Sequence, residues 1–306
     1  MKRPLVYFIF ALFFYMFSIL ATAHAAVLKP FILGNTPAGG MAAVVSLVES
    51  ALAAHNFTLV GRYSPFVGAT VICASHAELT AVATAAADRN GAFGIAQRVS
   101  VTEVNGQLQV AYMNPAYLAA AYGLGKLPAV SIDLAAALGA VAEFGSKGGV
   151  EEAKLAPGKY HYAPFMPYFK DVMEVNSYPD HKTAVETVEK NLAAKIGGTE
   201  KVYRIDVPDQ EIAVFGIGIP VGDGPDAGAK DTDKEVLDII DYQEYRATAY
   251  LPYELMVTGN RAIALPGRFR IAVHFPDTSM AGEHGFTKIM SSPGGILKAL
   301  EAVAGK

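Results

Sequence analysis

The segment VVSLVESALAAHNF, Val44 to Phe57, returns as AVETVEKNLAAKIG, Ala184 to Gly197. At a constant offset of 140, Val45, Val48, Glu49, Leu52, Ala53 and Ala54 meet Val185, Val188, Glu189, Leu192, Ala193 and Ala194. The apolar positions recur every three or four residues, so each copy predicts an amphipathic helix. A chain that repeats such a helix must bury two like stripes, and the simplest solution is two similar units with an interface between them. Clefts at interfaces of this kind are common ligand sites.

The surrounding elements follow the same order in both halves. After a first helix from Met41 to about His55, FTLVGRY and ATVICA read as short strands, and Glu78 to Ala87 reads as a helix stopped by Asn90-Gly91. GIAQRVSVTEV and QLQVAYMNP flank Asn105-Gly106, a strong hairpin signature because both residues tolerate positive φ. The second half offers a helix over His181 to Ile196, strands KVYRIDV and EIAVFGIGI, and a helix from Lys234 to Tyr242. A closing hairpin of RATAYLPYELMVTG with RFRIAVHFP would end it. Leu108, Val110, Tyr112 and Pro115 then match Phe269, Ile271, Val273 and Pro276 at an offset of 161. The expected fold class is α+β, with two tandem α-β-β-α-β-β units over 41–123 and 181–306. Each is expected to be a mainly antiparallel sheet with helices on one face, the two related by a pseudo-twofold axis.

Residues 26–40 read as an extended entry segment, and residues 124–180 as a junction. Within the junction Ile132 to Phe144 has helical composition. GKYHYAPFMPYFKD then gathers Tyr160, His161, Tyr162, Phe165, Tyr168 and Phe169 between prolines. So aromatic a linker is expected to pack across the two units rather than stay in water.

Met1, Lys2 and Arg3, the apolar run Leu5 to Leu20, and Ala23-His24-Ala25 have the form of a secretory leader cut near Ala25. The competing reading is an uncleaved anchor, since about 20 apolar residues can span a bilayer. A periplasmic or secreted product is therefore expected, with no stable membrane insertion once the leader is cut. The formal net charge of −4 and the lack of a basic run give no overall footprint for nucleic acid or anionic lipid. Cys73 stands alone, so the fold must be held by its core rather than by an internal disulfide.

VESALAAHNFTLVGRY with GIAQRVSVTEVNGQLQVAYMNP, and VEKNLAAKIGGTEKVYRI with LPYELMVTGNRAIALPGRFRIAVHFP, resemble the bacterial domain of unknown function family 302, here as two copies. The resemblance implies an α+β fold and no particular reaction.

The chain lacks G-x-x-x-x-G-K-[ST], G-x-S-x-G, H-E-x-x-H and C-x-x-C. Gly216, Gly218 and Gly222 have the wrong spacing for a nucleotide loop, and Asp223, Asp226, Asp231 and Asp233 lack EF-hand spacing. Strand parity over RFRIAVHFP sets Arg268, Arg270 and His274 opposite the apolar phase, with Tyr250 and Glu254 beside them on the partner strand. Two guanidiniums on one face could hold a carboxylate or phosphate, or Arg270 and Glu254 could simply pair across strands. Arg98, the counterpart of Glu254 in the first unit, is charge-complementary to it if the two polar faces oppose each other across a cleft. The candidate ligand-binding set is therefore Arg98, Tyr160, His161, Tyr162, Tyr168, Tyr250, Glu254, Arg268, Arg270 and His274. His284 and Met280 form a candidate metal pair of the kind that suits copper.

Three function classes follow. A non-catalytic module that binds a small molecule or partner protein fits the missing catalytic motifs best. A hydrolase using His274 or His284 with Glu254 or Glu283, and a metal-handling protein, remain as alternatives. No cofactor is specified.

Overall fold

The computed structural model describes residues 26–85, 89–220 and 231–306. The expected leader and the loop positions Gly222, Asp223 and Asp226 lie outside the described residues. The entry segment contributes two short strands, β1 (Val27–Leu28) and β2 (Phe31–Leu33). Helix α1 (Met41–Ala54) buries Val44, Val45, Val48 and Leu52, the stripe that the periodicity marks. Strands β3 (Phe57–Tyr63) and β4 (Ala69–His76), helix α2 (Ala77–Ala85), and strands β5 (Gln97–Val104) and β6 (Gln107–Met113) follow. Asn105 and Gly106 make the tight turn between β5 and β6 with φ of 51° and 78°. Next come α3 (Pro115–Tyr122), α4 (Pro128–Leu138), β7 (Ala142–Phe144), β8 (Val150–Glu151) and the single turn α5 (Glu152–Leu155).

The second half opens with β9 (Met173–Ser177) and α6 (His181–Ala193), which buries Ala184, Val185, Val188 and Leu192. It continues through β10 (Glu200–Asp206), β11 (Ile212–Gly218), α7 (Asp233–Ile240), β12 (Tyr253–Thr258) and β13 (Arg261–Ala264). Helices α8 (Gly267–His274) and α9 (Ser292–Val303) complete it. One sheet has the order β3-β4-β5-β6-β2-β7 and the other β10-β11-β12-β13-β9. Every strand pairing among the described residues is antiparallel. The α+β class holds, and the two sheets share one order of five strands. Among the described residues no helix is long and apolar enough to cross a membrane.

Two local expectations are corrected. RFRIAVHFP is not a strand, because Gly267–His274 is helix α8 and the strand beside β12 is the four-residue β13. Six consecutive residues of α8, Phe269 to His274, are buried, so alternation along them carries no information about which face meets the core. The counterpart of α8 is α3, which follows β6 as α8 follows β13; the offset of 161 therefore matched a strand to a helix. Asn114-Pro115 both ends β6, at Met113, and starts α3. The Asn114 side chain accepts a bond from the Ala116 N–H at 3.1 Å, and Pro115 occupies the first turn, where a missing N–H costs nothing. Finally, the helix expected over 132–144 ends at Leu138 and gives way to β7.

The two sheets meet through the faces that carry Arg98 and Glu254. Arg98 on β5 bonds Glu254 on β12, and Thr102 Oγ1 donates to Thr248 Oγ1 at 3.0 Å. Val99 and Val101 alternate with Arg98 and Thr102 and are also fully buried, so β5 is covered on both faces. Glycines make the close approach possible. A Cβ on Gly218 would fall 2.3 Å from the Tyr63 ring, and one on Gly216 2.2 Å from the Tyr203 ring. A Cβ on Gly61 would lie 1.9 Å from the Val202 carbonyl oxygen, where β3 and β10 touch edge to edge. The glycine string in β11 is thus room for aromatic rings, which accounts for glycine in the middle of a buried strand.

Candidate functional site

Arg98, Glu254, Arg270 and His274 come together as one buried network, each between 1 % and 4 % exposed. Arg98 Nη1 donates to Glu254 Oε1 at 2.7 Å. Arg270 grips the same carboxylate side-on, Nε to Oε2 at 2.9 Å and Nη2 to Oε1 at 3.1 Å. Its Nη2 also donates to the carbonyls of Tyr250 and Pro252 at 2.9 and 2.8 Å. His274 stands one helical turn on from Arg270, which only a helix allows. Its Nδ1–H donates to the Arg270 carbonyl at 2.7 Å, which assigns Nε2 as the acceptor of Arg270 Nη1 at 3.0 Å. Burial, with Arg270 and Arg98 adding to it, holds the His274 pKa well below the usual imidazole value, so the ring is neutral.

Every polar atom of Glu254 and His274 is thereby spent inside the protein. The sequence predicts that the polar faces line an open cleft; the faces do oppose each other, but they close into a buried, hydrogen-bonded seam. Tyr250 packs into it, its ring 5.0 Å from the Arg270 guanidinium. Arg268 is exposed, since two residues of helix turn it away from Arg270, where a strand would have kept them together. The network binds one half to the other, and neither His274 nor Glu254 reaches solvent to act as acid or base. Cys73, opposite Arg98 in the β4–β5 ladder, is fully buried, and its thiol is pushed up to about 12 by desolvation.

The aromatic junction packs against α8. Tyr160 OH donates to the Ala272 carbonyl and Tyr117 OH to the Val273 carbonyl, both at 2.7 Å, so two of the orphan carbonyls at the C-terminal end of the helix find partners. Tyr162 OH donates to the Thr278 carbonyl. Phe169 lies 4.9 Å from Tyr122 and 5.8 Å from Phe269 between ring centres. His161 is exposed, with Nδ1 against the Ala163 carbonyl and its ring edge-on to Tyr168. These tyrosines act as structural clamps.

His284 is also committed. Its Nδ1 lies 2.8 Å from the Ile239 carbonyl, and its ring stacks on Tyr242 at 3.7 Å. Met280 is exposed. Among the described residues no group of three or more His, Cys, Asp or Glu side chains converges as a metal site.

An open groove of about 550 Å³ lies elsewhere on the seam. One wall is Lys29 and the segment Glu143 to Lys147; the other is Ile240 to Tyr245, with Ala247, Phe275, Asp277 and Thr278. The groove does not include Tyr160 to Phe169. Asp277 fixes its rim, accepting from Ser146 Oγ at 2.8 Å and from the Lys147 N–H at 2.6 Å. Gln109 reaches across from β6 and clamps the other wall, donating to the Glu244 carbonyl at 2.8 Å and accepting from the Arg246 N–H at 3.1 Å. Phe144, Tyr242, Tyr245 and Phe275 supply aromatic surface, with Phe144 edge-on to Tyr245 at 5.6 Å.

Asp241 is the unusual group in this wall. It caps the C-terminal end of α7, where the helix dipole disfavours an anion, and both its oxygens accept from the Ala247 N–H at 2.9 Å. Burial pushes its pKa up to about 7 against the opposing pull of that amide and of Arg246. Asp241, Tyr242, Tyr245 and Asp277 were absent from the sequence-derived set. The available signal was an acid at the C-terminal end of a helix, in DIIDYQEY, which runs against the dipole rule. Compared with protein-family models, with curated proteins and with solved structures, the chain matches none.

Proposed function

We propose that the protein is an exported, periplasmic binding protein that holds a small organic cation in the groove between its halves. The observation that carries this reading is the groove itself, in which Glu143, Glu244 and Asp277 outnumber Lys29 and Lys147 beside four aromatic rings. Carboxylates and aromatic faces together are the chemistry that recognises an amine or a quaternary ammonium group. Both halves build the walls, so a ligand there would bridge them. Export rests on the leader pattern alone.

Native mass spectrometry of protein recovered from the periplasm should show a retained small ligand. Calorimetry with a short aliphatic diamine and with a tetraalkylammonium ion should show binding that Tyr242→Ala weakens by about threefold or more. Absence of binding in both experiments would refute the cation reading. N-terminal sequencing of the mature chain, expected to begin at Ala26, tests the compartment separately. Acid–base hydrolysis is the second reading. It is supported by Asp241, a carboxyl that titrates near neutrality in the same groove as Asp277.

A further inference from the structure

Phe165 is fully exposed, and it sits at the tip of a turn closed by the Met166 N–H on the Ala163 carbonyl at 3.1 Å. Pro164 precedes it, and Phe165 has φ of 68°, in the left-handed region that favours glycine. A large apolar side chain thus holds a position where it packs against nothing and where its backbone is unfavourable, a combination that folding alone does not select. The loop is held firmly, because Tyr160 and Tyr162 on its near side bond the carbonyls of Ala272 and Thr278. Lys159 and Lys170 flank it, both exposed, and no Asp or Glu occurs from Lys154 to Lys170 in a chain of net charge −4. Asp171 follows, and its carboxylate is turned back to accept from the Tyr168 N–H at 2.9 Å.

We infer that this loop is a peripheral membrane-docking tip, with Phe165 entering the acyl boundary of an anionic bilayer while Tyr168, Lys159 and Lys170 meet the headgroups. An apolar knob flanked in sequence by tyrosine and lysine matches the layering of a membrane interface, where aromatic rings and cations concentrate at the headgroup level. A protein pocket would also accept Phe165. The local positive charge on an otherwise acidic molecule favours an anionic lipid surface instead.

The chain contains no tryptophan, so Phe165→Trp places a single reporter at the tip. Mixed with vesicles of phosphatidylethanolamine and phosphatidylglycerol, the mature protein carrying Phe165→Trp should show a blue-shifted emission and co-sediment with lipid, and added salt should reverse both. Phe165→Ala should lower partitioning by about tenfold or more, the loss expected for one buried aromatic side chain, with thermal unfolding unchanged. An emission that stays unshifted, or co-sedimentation indifferent to Phe165→Ala, overturns the inference. A blue shift that grows with protein concentration and needs no vesicles overturns it as well, because the occupant is then a second copy of the chain.

Discussion

At the scale of single residues, the seam between the halves is a problem in charge counting. Two guanidiniums, one carboxylate and a neutral imidazole lie out of water, an excess of one positive charge. Burying charges is tolerable only while each has a partner, and Glu254 is the partner of both arginines. Glu254→Gln therefore leaves two buried cations facing each other and should cost about 3–5 kcal/mol. Arg98→Met instead leaves the one-to-one pair of Arg270 with Glu254, still backed by the Tyr250 and Pro252 carbonyls, and should cost no more than about 2 kcal/mol. Denaturant unfolding of the two variants reads the order directly; equal losses would mean that the excess charge is neutralised elsewhere. The residue types of this cluster were legible, since Arg98 and Glu254 were paired by charge from their positions on β5 and β12. Their fate was not, because a sequence shows which faces are polar but not whether water stays between them.

At the scale of elements, tight approach between the sheets depends on missing side chains. Tyr63 of β3 crosses above Gly218 of β11 so that its hydroxyl reaches Asp233 Oδ2 at 2.6 Å. Gly218→Ala puts a methyl group 2.3 Å from that ring, which must swing away and give up the bond. The expected loss is about 1–3 kcal/mol from overpacking, with a further contribution of about 0.5–1.5 kcal/mol from the broken hydrogen bond. Tyr63→Leu in the same chain should remove the clash while forfeiting the bond, so a double-mutant cycle should show strong coupling between positions 63 and 218. Additive losses would place the cause outside this contact. The same scale explains which elements were readable. Helices α1 and α6 are covered on one side only, so their periodicity survives in the sequence, and the Asn105-Gly106 turn is set by its own two residues. Helix α8 is wrapped by the tyrosine clamps, α9 and the sheet network, which erases the period. The groove walls are loop segments such as Tyr242 to Tyr245, whose positions depend on contacts more than 100 residues away, as Gln109 shows by clamping Glu244 and Arg246.

At the scale of the whole molecule, stability should follow pH in a sense set by three buried groups. Burial pushes Asp233 up to about 7 despite the Tyr63 hydroxyl and the Ile219 amide, and pushes Asp241 to about 7 as well. Each raised carboxyl binds its proton more tightly in the folded state than in the unfolded one. Its stabilisation is fully present below about pH 4 and is lost as pH rises through about 7, with a slope of up to about 1.4 kcal/mol per pH unit. His274 acts in the opposite sense: its depressed pKa contributes stability above the usual imidazole value of about 6.5 that is lost as pH falls. Asp133 and Asp180, held low by hydrogen bonds from Asn56 and from the Thr183 N–H, respond only below about pH 4. Two raised carboxyls outweigh one imidazole, so the unfolding midpoint should be higher at pH 5 than at pH 8. Asp233→Asn with Asp241→Asn keeps acceptors for the Tyr63 hydroxyl and the Ala247 N–H but removes both titrations. In that protein His274 acts alone, and the midpoint should fall as pH drops from 7 to 5. Calorimetric scans of the two proteins across this range should cross in slope; parallel curves would show that neither carboxyl carries a raised pKa in the folded state.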